Sequence, residues 1–257
     1  NISAFLYYQS SLAQMEQSMT NMAESASQRV MQEIQSYVNV AEAYGGRADV
    51  ADPDVPATEK EDMLNAWAEK YNMTRANLLD ANGNSLFDGN NYADRDYFQQ
   101  CMQGNTYVST PVISKVTNEL TIIVAAPLWE DGDANSTPIG VVYFVPQETF
   151  LNDIMSSIHV SENGGAYMID KDGNTIADTT METVTTQNIE KEAEEDSSLN
   201  ALASIHAKMR AGESGSANYF VDGEEKIIAY APVEGTDGWS LGVTAPQRDF
   251  MEGTYQS

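Results

Sequence analysis

The chain has 257 residues, of which 42% are hydrophobic, and its formal charge of -26 comes from 13 basic and 39 acidic side chains. So acidic a surface repels phosphate backbones and anionic lipid, which argues against nucleic-acid binding and against peripheral membrane binding. One cysteine, Cys101, and two distant histidines, His159 and His206, exclude an internal disulfide framework and a zinc-like spacing.

The first predicted element is a long helix over residues 1–45, since glycine and proline are absent before Gly45-Gly46. Apolar or small residues recur in steps of three and four, at positions 12, 15, 19, 22 and 26 and again at 30, 34, 37, 41 and 44. Such a helix would be about 65 Å long. We expect its N-terminal half to pack on a partner copy, the alternative being a helix that lies only along its own domain. The pattern is already under way at residue 1, so we expect a piece of a longer protein.

A loop with Pro53 and Pro56 precedes a second predicted helix. Thr58 and Glu61 have the spacing of a capping box, and we expect Thr58 to be the N-cap. The apolar stripe of this helix is predicted to be core and consists of Met63, Leu64, Trp67 and Tyr71. Residues 76–87 then combine an apolar run, Asn-Gly and a second apolar run, which predicts a hairpin.

Residues 91–127 form the stretch on which the functional prediction depends. They predict a polar loop, a helix over 95–102, a turn at Gly104 and two β-rich runs, 107–116 and 119–126. A helix laid over a sheet would direct one cation, several aromatics and small hydroxyls into one space, as in small-molecule sites. The alternative is that the aromatics are core and Arg95 is a surface charge. The candidate ligand-binding residues are Arg95, Tyr97, Phe98, Tyr92, Tyr107, Ser109, Thr110, Ser114, Ile123 and Ala125.

The second half of the chain repeats the first. After a predicted strand at 139–145 and a helix at 148–158, residues 168–177 (MIDKDGNTIA) align with 78–87 (LLDANGNSLF). Asp170 falls on Asp80, Gly173 on Gly83, and residues 227–233 (IIAYAPV) match 122–128 (IIVAAPL). A further helix is predicted at 198–211. Two matches in the same order predict two copies of one α+β unit, each an antiparallel sheet with helices on one face.

Six motifs in order, RDYF, YVSTPV, IIVAAP, GVVYF, GGAYMIDKDGN and GWSLGVTAP, follow the long helix. Together they resemble the double Cache (dCache) extracellular sensor domains of bacterial receptors. The resemblance implies an α+β fold with two stacked PAS-like modules along a long N-terminal helix. Residues 1–47 would be the signalling and dimerisation helix and residues 48–152 the membrane-distal, ligand-binding module. Residues 153–257 would be the membrane-proximal module, leading to the second transmembrane helix.

The resemblance also bears on the ligand. Amino-acid-binding members have an aromatic–Arg–aromatic signature for the ligand carboxylate, which Arg95, Tyr97 and Phe98 resemble. The acid and tyrosine expected for the ammonium are replaced by Val112 and Ser114, and Val145 stands where an aspartate is expected. Burying an ammonium without an anion is costly. We therefore expect a small carboxylate, the alternatives being a nucleobase-like ring, an amino acid or no small ligand.

The prediction is the sensor domain of a methyl-accepting chemotaxis receptor, outside the cytoplasm. It would form a homodimer through the N-terminal helix and be attached to the membrane by helices outside this chain, with no cofactor. The alternatives are the sensor of a histidine kinase or a diguanylate cyclase, or an extracellular interaction module without a ligand.

Two other functions are disfavoured by the motifs. Neither histidine lies in a nucleophile motif, and GxSxG, P-loop and GxGxxG patterns are absent, so no enzyme is predicted. Residues 170–174 resemble the start of a calcium loop, but the twelfth position is Met181 instead of glutamate, and a hairpin turn is predicted.

Overall fold

The computed structural model describes residues 1–113, 120–179 and 183–255. The chain divides into two compact units. Unit 1 comprises Asn1–Met31 and Leu151–Ser257, and unit 2 comprises Gln32–Phe150. Each contains an antiparallel sheet with helices, which confirms the predicted α+β class. Among the described residues, no helix is both long and apolar enough to cross a membrane.

Helix α1 runs over Ile2–Gly45 and confirms the predicted long helix and its stop. Its predicted seam is buried from Met15 onward by the protein's own chain, except that Met22 is half-buried, and the contact with a partner copy stays a prediction. Gly45 is required where α1 ends, because a Cβ there would lie 2.2 Å from the Pro127 carbonyl oxygen. The first turns carry exposed large side chains, namely Ile2, Phe5, Leu6 and Tyr7.

Two helices follow α1 in unit 2: α2 covers Ala48–Ala51 and α3 covers Ala57–Lys70. The predicted capping box is wrong, because Pro56, with φ -58°, is the N-cap and Thr58 is already inside the helix. The predicted core stripe is only partly correct. Leu64 is fully buried, whereas Tyr71 is exposed and stacks on Trp67 with ring centroids 5.5 Å apart.

The main sheet of unit 2 has the order β1-β6-β5-β2, and β3 and β4 form a separate pair. The strands are β1 Met73–Asp80, β2 Tyr107–Val108, β3 Val112–Ile113, β4 Leu120–Thr121, β5 Val124–Trp129 and β6 Pro138–Pro146. Helix α4 covers Asp96–Met102. The two predicted β-rich runs are therefore broken into shorter strands, and residues 114–119 lie outside the described part of the chain.

The predicted hairpin at 76–87 forms only its first arm, β1. Past the turn, Ser85 makes a single bridge to Leu79, and the chain then leaves the sheet. The Ser85 hydroxyl accepts hydrogen bonds from the main-chain N–H groups of Phe87 and Asp88, both at 3.0 Å. This local bonding satisfies donors that a second strand would have used, so the chain turns instead of continuing.

The sheet of unit 1 has the order β8-β7-β11-β10-β9. Its strands are β7 Gly165–Ile169, β8 Thr175–Asp178, β9 Gly215–Val221, β10 Glu224–Pro232 and β11 Ser240–Pro246. Helix α5, Phe150–Ser156, starts at the last residue of unit 2, and unit 1 adds α6 Ile189–Glu192, α7 Asn200–Arg210 and α8 Arg248–Tyr255. Helix α7 lies over the sheet, with Ile205, His206 and Met209 buried beneath it.

The two turns that suggested an internal repeat fold in the same way. The main-chain N–H of Asp80 donates to the Asn84 carbonyl, and that of Asp170 to the Asn174 carbonyl, both at 2.9 Å. The third turn residue is glycine with φ +84° in one copy and +86° in the other. This confirms the predicted hairpin turn at Asp170 and supports the alignment of the two halves.

Candidate functional site

Helix α4 sets the position of the candidate site in unit 2. Arg95 is its N-cap in extended conformation, with φ -86° and ψ 140°. The apolar residues that follow occur at helical spacing, so one face of α4 is buried on β5 and β6 through Tyr97, Phe98 and Cys101. Arg95 is thereby held, half-buried, at the edge of an aromatic cluster.

Six of the ten predicted residues meet in one cluster. Tyr92, Tyr97, Phe98, Ile123 and Ala125 are buried together, and the half-buried Tyr107 packs against them. The face of β6 completes the cluster with Val141, Tyr143 and Val145. The structure thus joins the loop, the helix and the strands that the sequence stretch was expected to join.

A hydrogen-bond network runs through this cluster. The amide of Asn77 donates to the Tyr143 hydroxyl at 2.8 Å and to Asp88 Oδ2 at 2.9 Å. The Tyr92 hydroxyl donates to the same Asp88 oxygen at 2.5 Å, and Ser85 donates to Asn77 Oδ1 at 2.6 Å. Burial raises the pKa of Tyr92 and of Tyr143, and the bond to Asp88 raises that of Tyr92 further. Both phenols are therefore neutral hydrogen-bond donors near pH 7.

Charges of both signs surround the Tyr97 hydroxyl. Burial is the main reason that the pKa of Tyr97 is raised. The field of Arg95 opposes that shift, whereas the fields of Asp94 and Asp88 add to it. On the neighbouring strand, the charge of Arg75 offsets part of the rise that burial causes in the pKa of Tyr143. A polar ligand among these rings would meet guanidinium and carboxylate groups together.

The small hydroxyl residues behave differently from one another. The Ser109 main-chain N–H donates to the Ile123 carbonyl and its hydroxyl accepts from the Ile123 N–H, both at 2.9 Å. Its hydroxyl therefore joins two segments of the fold. Thr110 is half-buried beside it. Ser114 lies outside the described residues.

Sequence reasoning missed the polar part of the cluster, namely Arg75, Asn77, Ser85, Asp88 and Tyr143. For Tyr143 a signal existed, since strand alternation places it on the same face as Val141 and Val145. Asn77, a polar residue inside an apolar run, was a weaker signal. Asp88 follows a run that was expected to be a strand, and its role depends on the chain turning away there.

Two grooves of unit 2 lie elsewhere, along the end of α1. One, of about 460 Å³, is lined by Tyr44, Trp67 and Tyr71, and the other, of about 550 Å³, includes Glu42 and Trp129. Neither includes a predicted site residue. They are thus distinct from the cluster at α4.

In unit 1, the corresponding space between helix and sheet holds a tyrosine–histidine pair. The Tyr167 hydroxyl is 2.7 Å from His206 Nε2, and burial lowers the pKa of His206 to about 4. Nδ1 of His206 has no hydrogen-bond partner within the described parts of the chain. The imidazole is therefore neutral near pH 7 and belongs to the core of unit 1.

Two units of this kind, each with a helix over an antiparallel sheet, define a PAS-like sensor class. The sequence profile of the Cache domain family dCache_1 matches residues 7–254. The chain belongs to this family, which confirms the resemblance noted from the sequence. No curated protein sequence matches the chain.

Solved structures share this fold at low sequence identity. The ligand-binding domain of the Pseudomonas fluorescens chemoreceptor CtaA, in complex with L-isoleucine, is 15% identical with a TM-score of 0.73, over 97% of this chain and 99% of that one. The ligand-binding domain of Mlp24 with asparagine is 14% identical with a TM-score of 0.69, over 95% and 98%. The extracellular domain of the putative histidine kinase rpHK1S-Z16 is 16% identical with a TM-score of 0.74, over 94% and 98%.

Proposed function

We propose that the chain is the extracellular ligand-sensing domain of a bacterial chemoreceptor and binds a small carboxylate beside Arg95. The observation that carries the proposal is the aromatic cluster under α4, with the half-buried residue Arg95 near enough for its charge to act on the Tyr97 phenol. Apolar walls with a few orienting polar groups are typical of small-molecule sites. The domain would act without catalysis.

In this proposal Arg95 binds the ligand carboxylate. The hydroxyl of Tyr97 is an additional donor, and Tyr92, Phe98 and Tyr107 enclose the ligand body. Charge-assisted hydrogen bonds contribute about 1.5–3 kcal/mol each. A signal requires that the ligand bind two states of the domain with different affinity. Closure of α4 over the ligand would supply that difference.

An amino acid is the second candidate ligand, and one observation favours it. Asp88 brings a carboxylate into the cluster, where the sequence had indicated no anion for an ammonium. The ligands named for CtaA and Mlp24 are amino acids. Asp88 already accepts bonds from Asn77 and Tyr92, so an ammonium would have to share its oxygens, and the simple carboxylate remains our first choice. A nucleobase-like ring is the third.

The remaining parts of the proposal follow from the family. Residues 48–152 would be the membrane-distal, ligand-binding module, residues 153–257 the proximal one, and residues 1–47 a helix that pairs with a second copy. Helices outside this chain would attach it to the membrane. Because a histidine kinase domain shares the fold, a kinase sensor is the alternative output.

The test is thermal melting and calorimetry of the domain with lactate, pyruvate, L-isoleucine, L-asparagine and adenine. A ligand at about 100 times its dissociation constant adds about 2.7 kcal/mol to the free energy of unfolding. We expect Arg95→Ala to remove the response to the ligand that is found and to leave the fold intact. Arg47→Ala is the matched control, since Arg47 lies in the same unit, outside the aromatic cluster, where it pairs with Asp49 at 2.9 Å.

The two ligand classes differ in their dependence on Asp88. Asp88→Asn should abolish binding of an amino acid, whose ammonium needs an anion, and should leave the affinity for a simple carboxylate within a few-fold. An unchanged affinity in Arg95→Ala would refute the proposed site. Failure of every compound would contradict both a small carboxylate and an amino acid as the ligand.

A further inference from the structure

We propose that the open edge of the unit 1 sheet, strand β9, pairs antiparallel with β9 of a second copy of this chain. The result would be one continuous sheet of ten strands across two molecules. The inference is independent of the ligand and concerns a different surface from the predicted contact through α1.

The first step concerns which main-chain groups face outward. Strand β9 is the last strand of its sheet, and among the residues that the structure describes it pairs with β10 alone. The two-residue loop at Asp222-Gly223, with φ +52° and +77°, makes Val221 and Glu224 a hydrogen-bonded pair. Hydrogen-bonded pairs alternate with non-hydrogen-bonded pairs along an antiparallel ladder, and residues of the second kind direct their main-chain groups away from the neighbouring strand. The main-chain groups of Ser216, Asn218 and Phe220 therefore point to the open edge.

The second step concerns protection of that edge. Natural edge strands carry charges, proline or bulges that prevent pairing with other chains. Residues 215–221, GSANYFV, contain neither a charge nor a proline, and their register with β10 is unbroken over seven pairs. The Phe220 side chain is 56% exposed. In a chain with a formal charge of -26, this edge is open and uncharged.

The third step concerns the occupant. In antiparallel pairing centred on Asn218, residues with outward main-chain groups meet each other. Asn218 lies opposite the partner's Asn218, and Phe220 lies opposite the partner's Ser216. On the other face, Tyr219 lies opposite the partner's Ala217, and Val221 opposite the partner's Gly215. Apart from the central pair of identical asparagines, a large side chain thus faces a small one at each of these pairs. A strand that is small in its first half and large in its second is complementary to itself.

Charge also permits this pairing. The flanking acid Asp222 would lie opposite the partner's Ser214, and Glu213 opposite the partner's Gly223, so no acid is placed opposite an acid. A like-charge pair directly opposite would be destabilising. Repulsion between the two acidic molecules would still oppose association, and added salt should strengthen it.

Disulfide trapping tests the register. Hydrogen-bonded residues of an antiparallel pair have Cα atoms about 5.5 Å apart, which is within disulfide range. In a Cys101→Ser background, Asn218→Cys should form a covalent dimer under mild oxidation. Ser216→Cys, exposed on the same strand, should not, since the partner's residue 216 would be about 14 Å away. Mixing Ser216→Cys with Phe220→Cys should give the heterodimer.

Sedimentation of the 257-residue chain tests the association itself. Asn218→Pro removes an outward N–H without touching the ladder to β10, a change that edge strands tolerate. We expect it to raise the dimer dissociation constant about tenfold or more relative to Asn218→Ala. A chain that stays monomeric at about 1 mM would overturn the proposal. So would a dimer insensitive to Asn218→Pro. Asn218→Cys trapping no faster than Ser216→Cys would overturn it as well, even if the proline variant does not fold.

Discussion

Gly83 and Gly173 occupy the same place in two copies of one turn, yet their surroundings differ. Both have a left-handed backbone that favours glycine, with φ +84° and +86°. A Cβ on Gly83 would lie 2.7 Å from the main-chain nitrogen of Ala93. A Cβ on Gly173 would lie 2.9 Å from Glu190 Oε2, the end of a flexible side chain that can move away.

We therefore predict that Gly83→Ala is more destabilising than Gly173→Ala. Both substitutions place a Cβ on a left-handed backbone, which costs about 1–2 kcal/mol. Only Gly83→Ala must also displace main chain, which should add about 1–3 kcal/mol. Urea denaturation of each variant measures the difference. Equal losses would show that the main chain at Ala93 yields easily.

At the residue scale, the sequence predicted the turn but not the asparagine that hydrogen-bonds to it. Asn91 donates to Asn84 Oδ1 at 2.9 Å, and Asn188 donates to Asn174 Oδ1 at 3.0 Å, so both copies bind their turn with an asparagine. Asn91 follows Asn84 by 7 residues, and Asn188 follows Asn174 by 14. An alignment with fixed spacing cannot reveal such a pair. The network around Asp88 was missed for the same reason, because its members come from separate segments.

At the scale of elements, prediction succeeded where the signal is local. The 44 residues of α1 follow from helical periodicity and from the absence of glycine and proline. The second arm of the hairpin at 76–87 was predicted from the same kind of pattern and did not form. A strand exists only if a neighbour pairs with it, and Ser85 turns the chain away first.

Helix α7 gives a prediction about pH. His206 has its pKa lowered to about 4 by burial, against an ordinary value of 6.5. Between these values the unfolded chain binds more protons than the folded one, so stability falls as pH falls from about 6.5 to about 4. The free energy of unfolding lost over this pH range is about 3 kcal/mol. His206→Gln should remove this part of the pH dependence of the free energy of unfolding.

The other histidine provides the control for this prediction. His159 is exposed, so His159→Gln is the matched substitution of a histidine outside the core. Denaturant unfolding of the three proteins between pH 4 and 7 makes the comparison. If His206→Gln keeps the full slope, the imidazole does not stay neutral in the folded state.

At the scale of the whole molecule, charge is the dominant property. A formal charge of -26 at pH 7 destabilises the compact state through self-repulsion, and salt screens it. We predict that sodium chloride raises the melting temperature at pH 7, by about 2–4 °C for each kcal/mol gained. Near the isoelectric point of about 4.1 the same salt should have little effect. An equal shift at both pH values would mean that salt acts otherwise than by screening.

Two α+β units could be predicted because the repeated segments carry the same turn and strand patterns in the same order. The sequence did not reveal how the units share the chain. Unit 1 is assembled from residues 1–31 and 151–257, with unit 2 inserted between them. Helical periodicity continues without a change through residue 31, and contacts with distant segments decide which part of α1 belongs to which unit.

This insertion has a consequence for how the protein is made. Synthesis proceeds from the N-terminus at about 5–20 residues per second. All of unit 2 is present once residue 150 has left the ribosome, whereas the first 31 residues must wait for the last strands before their seam can be covered. During that interval Met15, Met19 and Ala23, which are buried in the complete chain, lack the rest of unit 1. A nascent chain stalled once residue 150 has emerged from the ribosome should therefore contain a folded unit 2 and an N-terminal segment open to chaperones and proteases.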